Sequence, residues 1–299
     1  MPASFSNPPT WTVEELEAGQ AEAESRFIVE RTEEGPRAYE ALYRELEPEV
    51  RGVLAASHDL CALTGDLFRA DPQAWGLMRY LCAPPISEED LWTLAGRKFK
   101  RVPAEAADRV AAVLLEVLDP IRFPWVGEQR DPTTEERDSA VMATVALLTR
   151  ERLSTRRRGT SSVRQEAAVA AALTEAGYVL DADRSEVWVL DTLDRGRFAR
   201  ERKVAGAKCD VPVRLRDGRL LALECKISNG PKNSWKRLNR EIGGKAERWR
   251  GHFGGQVLTA AVLAGSYDLS CLRTAQADGV HVFWEHDLEP LQAFVASAT

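Results

Sequence analysis

KCDVPVRLRDGRLLALECKIS, residues 208–228, is the stretch on which the fold turns. Arg216-Asp217-Gly218-Arg219 has the Asp-Gly chemistry of a tight hairpin turn. The flanks, Asp210 to Leu215 and Leu220 to Ile227, read as two antiparallel strands. Side chains alternate along a strand. Leu221, Leu223, Cys225 and Ile227 therefore share one face, and Ala222, Glu224 and Lys226 the other. Asp210 opens the first strand and can lie beside Glu224 and Lys226 across the ladder. Pro212 has no backbone N–H, so the first strand is expected to bend there or to leave its donor side unpaired.

An Asp and a Glu-x-Lys on paired strands fit two readings. One is an exposed charged face closed by a salt bridge. The other is a site for phosphodiester hydrolysis, in which two carboxylates hold a hard divalent cation, here Mg2+. Such a cation stabilises charge on the phosphate and lowers the pKa of a bound water. A neighbouring lysine can orient or deprotonate that water, stabilise the transition state, and offset carboxylate repulsion when no cation is bound. The strand is apolar on both sides of the charged pair, which argues against a solvated edge.

Outward from the hairpin, the C-terminal half alternates. Ser162 to Ala176 reads as a helix ended by Gly177, and Val187 to Leu190 as a strand. A basic helix is expected over about 233–250, a strand over Val257–Leu263, and a helix over 268–277. A strand over Val280–Trp284 and a helix over Leu288–Ala296 close the series. The first half reads as helical. Thr12-Val13-Glu14-Glu15 is a capping box opening a helix to about Arg31. Further helices are expected over Tyr39 to about Leu67, from Ser87, over 104–118, and from Thr133 to about Arg152. STRRRGTSS, residues 154–162, reads as a linker. The fold class is α/β of the α+β type: a helical N-terminal region, 1–153, then a domain of mixed sheet flanked by helices, 154–299.

The chain has 299 residues, 44% of them hydrophobic and 29% charged, enough for a packed core. It shows no apolar run of membrane-spanning length, and MPASFSNPPTW does not read as a signal peptide. A cytoplasmic location is expected. The five cysteines are scattered, so free thiols are expected, and the four histidines suggest no zinc site. The net charge of −6 argues against a nucleic-acid partner until its distribution is read. Residues 150–250 hold 24 Lys+Arg against 14 Asp+Glu, leaving 16 against 32 elsewhere. Such segregation points to a basic surface facing a polyanion.

The basic residues fall in three sets. Lys232, Lys236, Arg237, Arg240, Lys245, Arg248 and Arg250 follow directly on Lys226, with Asn233, Ser234, Asn239, Trp235 and Trp249 among them. They read as a loop and helix touching phosphates, or else as a solvated helix with buried tryptophans. Arg156, Arg157 and Arg158 form a second set. Arg195, Arg197, Arg200, Arg202 and Lys203 form a third. Either could approach DNA, and solubilising loop charge explains the Arg156–Arg158 set about as well. Arg122-Phe123-Pro124-Trp125 reads as core packing.

Asp, a hairpin, then Glu-x-Lys is similar to the signature of the PD-(D/E)xK nucleases. PPISEEDL, RFPWVGEQRDPTTEER, LLALECKISNGPKNSWKRLN, KAERWR and VFWEHDL extend the likeness. With these blocks, nearly the whole chain resembles the XamI family of type II restriction endonucleases. The broad superfamily often has Pro where Cys209 stands. The resemblance implies a restriction-endonuclease-like fold, with Asp210 and Glu224 as metal ligands and Lys226 as the catalytic lysine. It also implies a Glu on the helix before the sheet, near the metal or its waters. Glu166 fits that place, or is a helix-surface Glu paired with Arg164 or a neighbour. Lys232, Asn233, Ser234, Lys236, Arg237, Asn239 and Arg240 are the expected DNA-binding residues. The implied activity is Mg2+-dependent double-strand cleavage at a palindromic site, with GTCGAC as the candidate. A homodimer and a cognate DNA methyltransferase as functional partner go with it. The alternatives are a structure-specific repair or recombination nuclease, and a non-cleaving DNA-binding module of the same fold.

Overall fold

The computed structural model describes residues 5–299, without the side chains of Arg158 and Thr160. It is a mixed α/β structure with a helical N-terminal region and a mixed sheet flanked by helices. The chain divides into two compact units, Met1–Glu33 with Arg157–Thr299, and Glu34–Arg156. This differs from a simple division near residue 153, because the first helix belongs with the sheet.

The strands are β1 Val179–Leu180, β2 Arg197–Phe198, β3 Arg202–Val204, β4 Ala207–Cys209, β5 Val211–Arg214, β6 Leu220–Asn229, β7 Val257–Ser266 and β8 Val280–Trp284. Six of them form one sheet in the order β1-β2-β5-β6-β7-β8, and β3 pairs with β4 apart from it. β5 and β6 are antiparallel, with Val211 opposite Leu223 and Pro212 opposite Ala222. β6, β7 and β8 run parallel. The expected hairpin is therefore present, and Gly218 takes a φ of +95° in its turn.

Pro212 is accommodated by direction. Its carbonyl accepts from Ala199 N at 3.0 Å, on the side away from β6. Backbone N and O of one strand residue point to the same side, so the missing N–H falls toward β2, which is only two residues long.

Both sheet faces are covered. Val211, Val213, Leu221, Leu223 and Cys225 pack with Val169, Leu173, Leu291, Phe294 and Val295. On the other face Ala261, Leu263, Val282 and Trp284 pack with Leu238, Ile242 and Ala246, and with Leu16 and Ala23 of the first helix. That helix, Val13–Val29, has the Thr12–Glu15 capping box. Trp11 Nε1 donates to Val282 O at 2.6 Å. Burying one side chain such as Leu16 contributes about 1.5–3 kcal/mol.

In the second unit Leu42, Leu46, Val50 and Leu54 build a core with Phe123 and Trp125, as the Arg122–Trp125 segment led one to expect. The helix expected to reach Leu67 ends at Ala56. His58, Asp59 and Leu60 then take positive φ, and Trp125 Nε1 donates to Asp59 O at 2.8 Å. Gly65 starts a short helix, Gly65–Ala70, rather than ending a long one, because Thr64 caps it.

Residues 154–162 are not a loop. They lie within the helix Thr134–Glu175. Within the second unit Arg152 and Arg156 pair with Glu49 and Glu45, each at 3.3 Å, so the basic run is held by i, i+4 charges facing i, i+4 charges. The side chain of Arg158 lies outside the described residues, as do residues 1–4 of MPASFSNPPTW. Val187 to Leu190 is not a strand either. Val187 forms a single bridge with Val204, and Leu190–Thr192 is a 3-10 turn. The basic segment is helical over Pro231–Trp235, π-helical over Lys236–Ile242 and helical again over Gly243–Phe253.

Candidate active site

The β5–β6 hairpin brings Asp210, Glu224 and Lys226 together. Asp210 precedes β5, and its Oδ2 accepts from Cys225 N at 3.0 Å and from Lys226 Nζ at 2.6 Å. Lys226 Nζ also lies 2.7 Å from Glu224 Oε2. Glu224 is fully buried, so the reading of an exposed charged face does not hold. Burial by itself disfavours the Lys226 ammonium. Glu224 and then Asp210 outweigh that effect, and the pKa of Lys226 is raised.

A further cation completes the cluster. Lys245, on the helix Gly243–Phe253, places its Nζ 2.7 Å from the same Glu224 Oε2. The sequence marked Lys245 only as one charge of a basic segment. Its one local signal was Trp249, one turn later, whose ring centroid lies 6.0 Å from Nζ. Glu224 Oε1 is buried with no hydrogen-bond partner.

Glu166 is not a surface residue paired with Arg164, which bonds Glu285 instead at 2.9 Å. It is nearly buried, accepting from Ser162 Oγ at 3.1 Å and from Arg200 at 3.3 Å. Burial first, then the negative charges of Asp210 and Glu166, push the pKa of the Cys225 thiol well above its ordinary value. Glu166 itself bonds Ser162 and Arg200, not Asp210, Glu224 or Lys226.

No group of three or more His, Cys, Asp or Glu side chains arranged for a metal ion occurs among the described residues. The donor set nonetheless suits a hard divalent cation, which needs few protein oxygens because it keeps waters and takes phosphate oxygen. Glu224 Oε1 is an orphaned buried acceptor, and both hydrogen bonds to Asp210 end on Oδ2.

The expected DNA-binding residues divide. Lys232, Lys236 and Arg240 are exposed, and Asn233 and Arg237 are half-buried. Trp235 is exposed beside them, while Trp249 is buried. Ser234 is buried, with its Oγ donating to Pro231 O at 2.6 Å and accepting from Asp268 N at 3.4 Å. Asn239 turns its Oδ1 toward Cys271 Sγ, 2.9 Å away. Ser234 is thus engaged within the fold, whereas Asn239 is half-buried and its Nδ2 has no hydrogen-bond partner. Arg202 of the third basic set is also internal. It bonds Ser185 O, Ser185 Oγ, Thr192 O, Asp181 and Asp183, tying down the loop before β2. The five cysteines are free thiols, as expected.

The family model for the XamI restriction endonuclease matches residues 58–284. The chain belongs to the XamI restriction endonuclease family. It is 33% identical to the type II restriction enzyme XamI of Xanthomonas campestris pv. amaranthicola, over 87% of this chain and 98% of that protein. It is 23% identical to the type II restriction enzyme SalI of Streptomyces albus G, over 86% of this chain and 90% of that protein. No solved structure matches the chain significantly. Membership in the XamI family makes the chain a restriction endonuclease. No helix among the described residues is long and apolar enough to cross a membrane.

Proposed function

We propose that the chain is a type II restriction endonuclease of PD-(D/E)xK type, cutting both strands of DNA at a specific short site with Mg2+. The observation that carries this reading is the buried, unpartnered Oε1 of Glu224 beside Asp210, with Lys226 bonded to both carboxylates. Asp210 and Glu224 would hold the cation, and Glu166, on the helix before the sheet, would lie near it or its waters. When bound, Mg2+ supplies charge stabilisation for the phosphate and acidifies a coordinated water. Lys226, which has only donors, serves the attacking water and the charge that develops on the phosphate. Lys232, Asn233, Lys236, Arg237 and Arg240 approach the phosphate backbone next to the hairpin.

A palindromic site cut on both strands is matched by a two-fold homodimer. GTCGAC is the candidate site. A cytoplasmic location and a cognate DNA methyltransferase that shields the host's own sites complete the proposal.

The test is a supercoiled plasmid incubated with and without Mg2+, followed by sequencing of the product ends. Discrete linear fragments that require Mg2+ are expected. Smears or branch-selective cuts would instead favour a repair nuclease, and a gel shift without products a binding module. Asp210→Asn and Glu224→Gln should each abolish cleavage and keep DNA affinity within a few-fold.

A further inference from the structure

Glu224 carries two ammonium groups on one oxygen. Lys226 and Lys245 both stand 2.7 Å from Oε2, and Oε1 has no partner. With Asp210 the cluster holds two negative and two positive charges, so it is neutral as it stands. A neutral cluster attracts a divalent cation only weakly, because the charge that would draw the cation is already compensated. One of the two lysines must then loosen its hold for the site to load.

The two lysines are not equivalent. Lys226 sits on the central strand β6 and is tied to both Asp210 and Glu224. Its side chain is 11% exposed. Lys245 reaches Glu224 from a separate element, the helix Gly243–Phe253, and is 25% exposed. Glu224 is the only ion-pair partner found for it among the described residues. The same helical segment carries the exposed Lys236 and Arg240.

We propose that Lys245 is a positioning residue that couples DNA binding to loading of the divalent cation. In the DNA-free protein it is the exchangeable counter-ion of Glu224. An incoming DNA phosphate draws its ammonium away, and the charge of Glu224, no longer compensated by Lys245, then draws the cation to its open Oε1. The site is thereby kept weakly loaded until DNA is present. This rests on the reading of Asp210 and Glu224 as cation ligands.

The test measures Mn2+ binding to the full-length, DNA-free protein by electron paramagnetic resonance of the free ion. Lys245→Met should tighten Mn2+ binding about tenfold, within the usual range for coupled sites. Lys245→Arg, which keeps the charge, should bind Mn2+ as the wild type does. An affinity for Lys245→Met equal to or weaker than that of the wild type overturns the proposal. Glu224→Gln separates the two levels of the argument. If it abolishes Mn2+ binding while Lys245→Met changes nothing, the ligand reading stands and the coupling fails. If it binds Mn2+ as the wild type does, the ligand reading itself fails. Should Lys245→Met fold poorly, Lys245→Gln is read in its place: tighter Mn2+ binding than the wild type supports the proposal, and equal or weaker binding overturns it.

Discussion

The hydroxyl of Tyr267 donates a hydrogen bond to the backbone carbonyl of Lys226 at 2.9 Å. Tyr267 is itself buried just beyond β7, so its ring and its hydroxyl fix the strand backbone from which the lysine projects. Tyr267→Phe should cost about 1–2 kcal/mol, because a buried carbonyl loses its donor while packing is retained. Urea unfolding measures this. An unchanged midpoint would show that the bond contributes nothing.

Glu224→Ala should behave differently from Glu224→Gln. The sequence suggests that deleting one carboxylate of a repulsive pair spares the fold. The structure interleaves those carboxylates with Lys226 and Lys245. Removing Glu224 leaves the half-buried Lys245 without its ion-pair partner and Lys226 with Asp210 alone, at a cost of up to about 3 kcal/mol. Glutamine keeps the volume and an acceptor, and should lose less. Thermal denaturation of both variants should show the alanine protein to be clearly the weaker.

Lys226→Ala should abolish cleavage and keep metal-dependent DNA binding, since an ammonium cannot coordinate a cation. Lys226→Arg is the sharper experiment. Arginine keeps the positive charge and cannot give up its proton near neutral pH. Single-turnover cleavage by the arginine variant would rule out an obligatory general base and leave Lys226 an electrostatic role.

Neutralising Lys236 or Arg240 should weaken DNA binding on all sequences alike. It should flatten the slope of log affinity against log salt by about one per lost contact. Ser234→Ala should leave that slope unchanged and lower stability instead, because Ser234 Oγ bonds Pro231 and Asp268 internally. A selective loss on the cognate site alone would assign Lys236 or Arg240 to base reading.

Acid should strip one defined interaction from the helical unit. Burial opposes the charged form of Asp119, but Arg122 and two backbone N–H groups outweigh it and hold its pKa below the ordinary value. The folded pKa is therefore the lower one. The contribution is fully present above the unfolded value of about 3.9 and is lost as pH falls through the folded value. Asp119→Asn should lose about 1.5–3 kcal/mol at neutral pH, the range for a charge-assisted hydrogen bond. Its urea midpoint should then fall less steeply than that of the wild type below pH 4.

The hairpin was legible because its determinants are local: alternation along β6, an Asp-Gly turn, and a carboxylate and a lysine two residues apart. The capping boxes were legible for the same reason. What escaped depends on partners far along the chain. Arg156 reads as linker charge until Glu45 is seen to face it, 111 residues away. Arg202 and Ser234 read as DNA contacts because nothing nearby marks them as buried. Lys245 meets Glu224 across 21 residues and a change of element. The break after Ala56 had no Gly or Pro to announce it; His58, Asp59 and Leu60 take left-handed geometry there, and Asp59 is bonded by Trp125 and Arg137, which are far along the chain.

The first helix has a consequence for synthesis. Leu16 and Ala23 are buried by side chains that include Trp284, and Trp11 bonds Val282 across 271 residues. At roughly 5–20 residues per second, the ribosome takes on the order of 15–50 s to deliver those partners. The contiguous segment Glu34–Arg156 emerges whole in the meantime and can close its own core. The apolar stripe of the first helix must wait in solution, or in the hands of a chaperone, until the last strand of the sheet arrives.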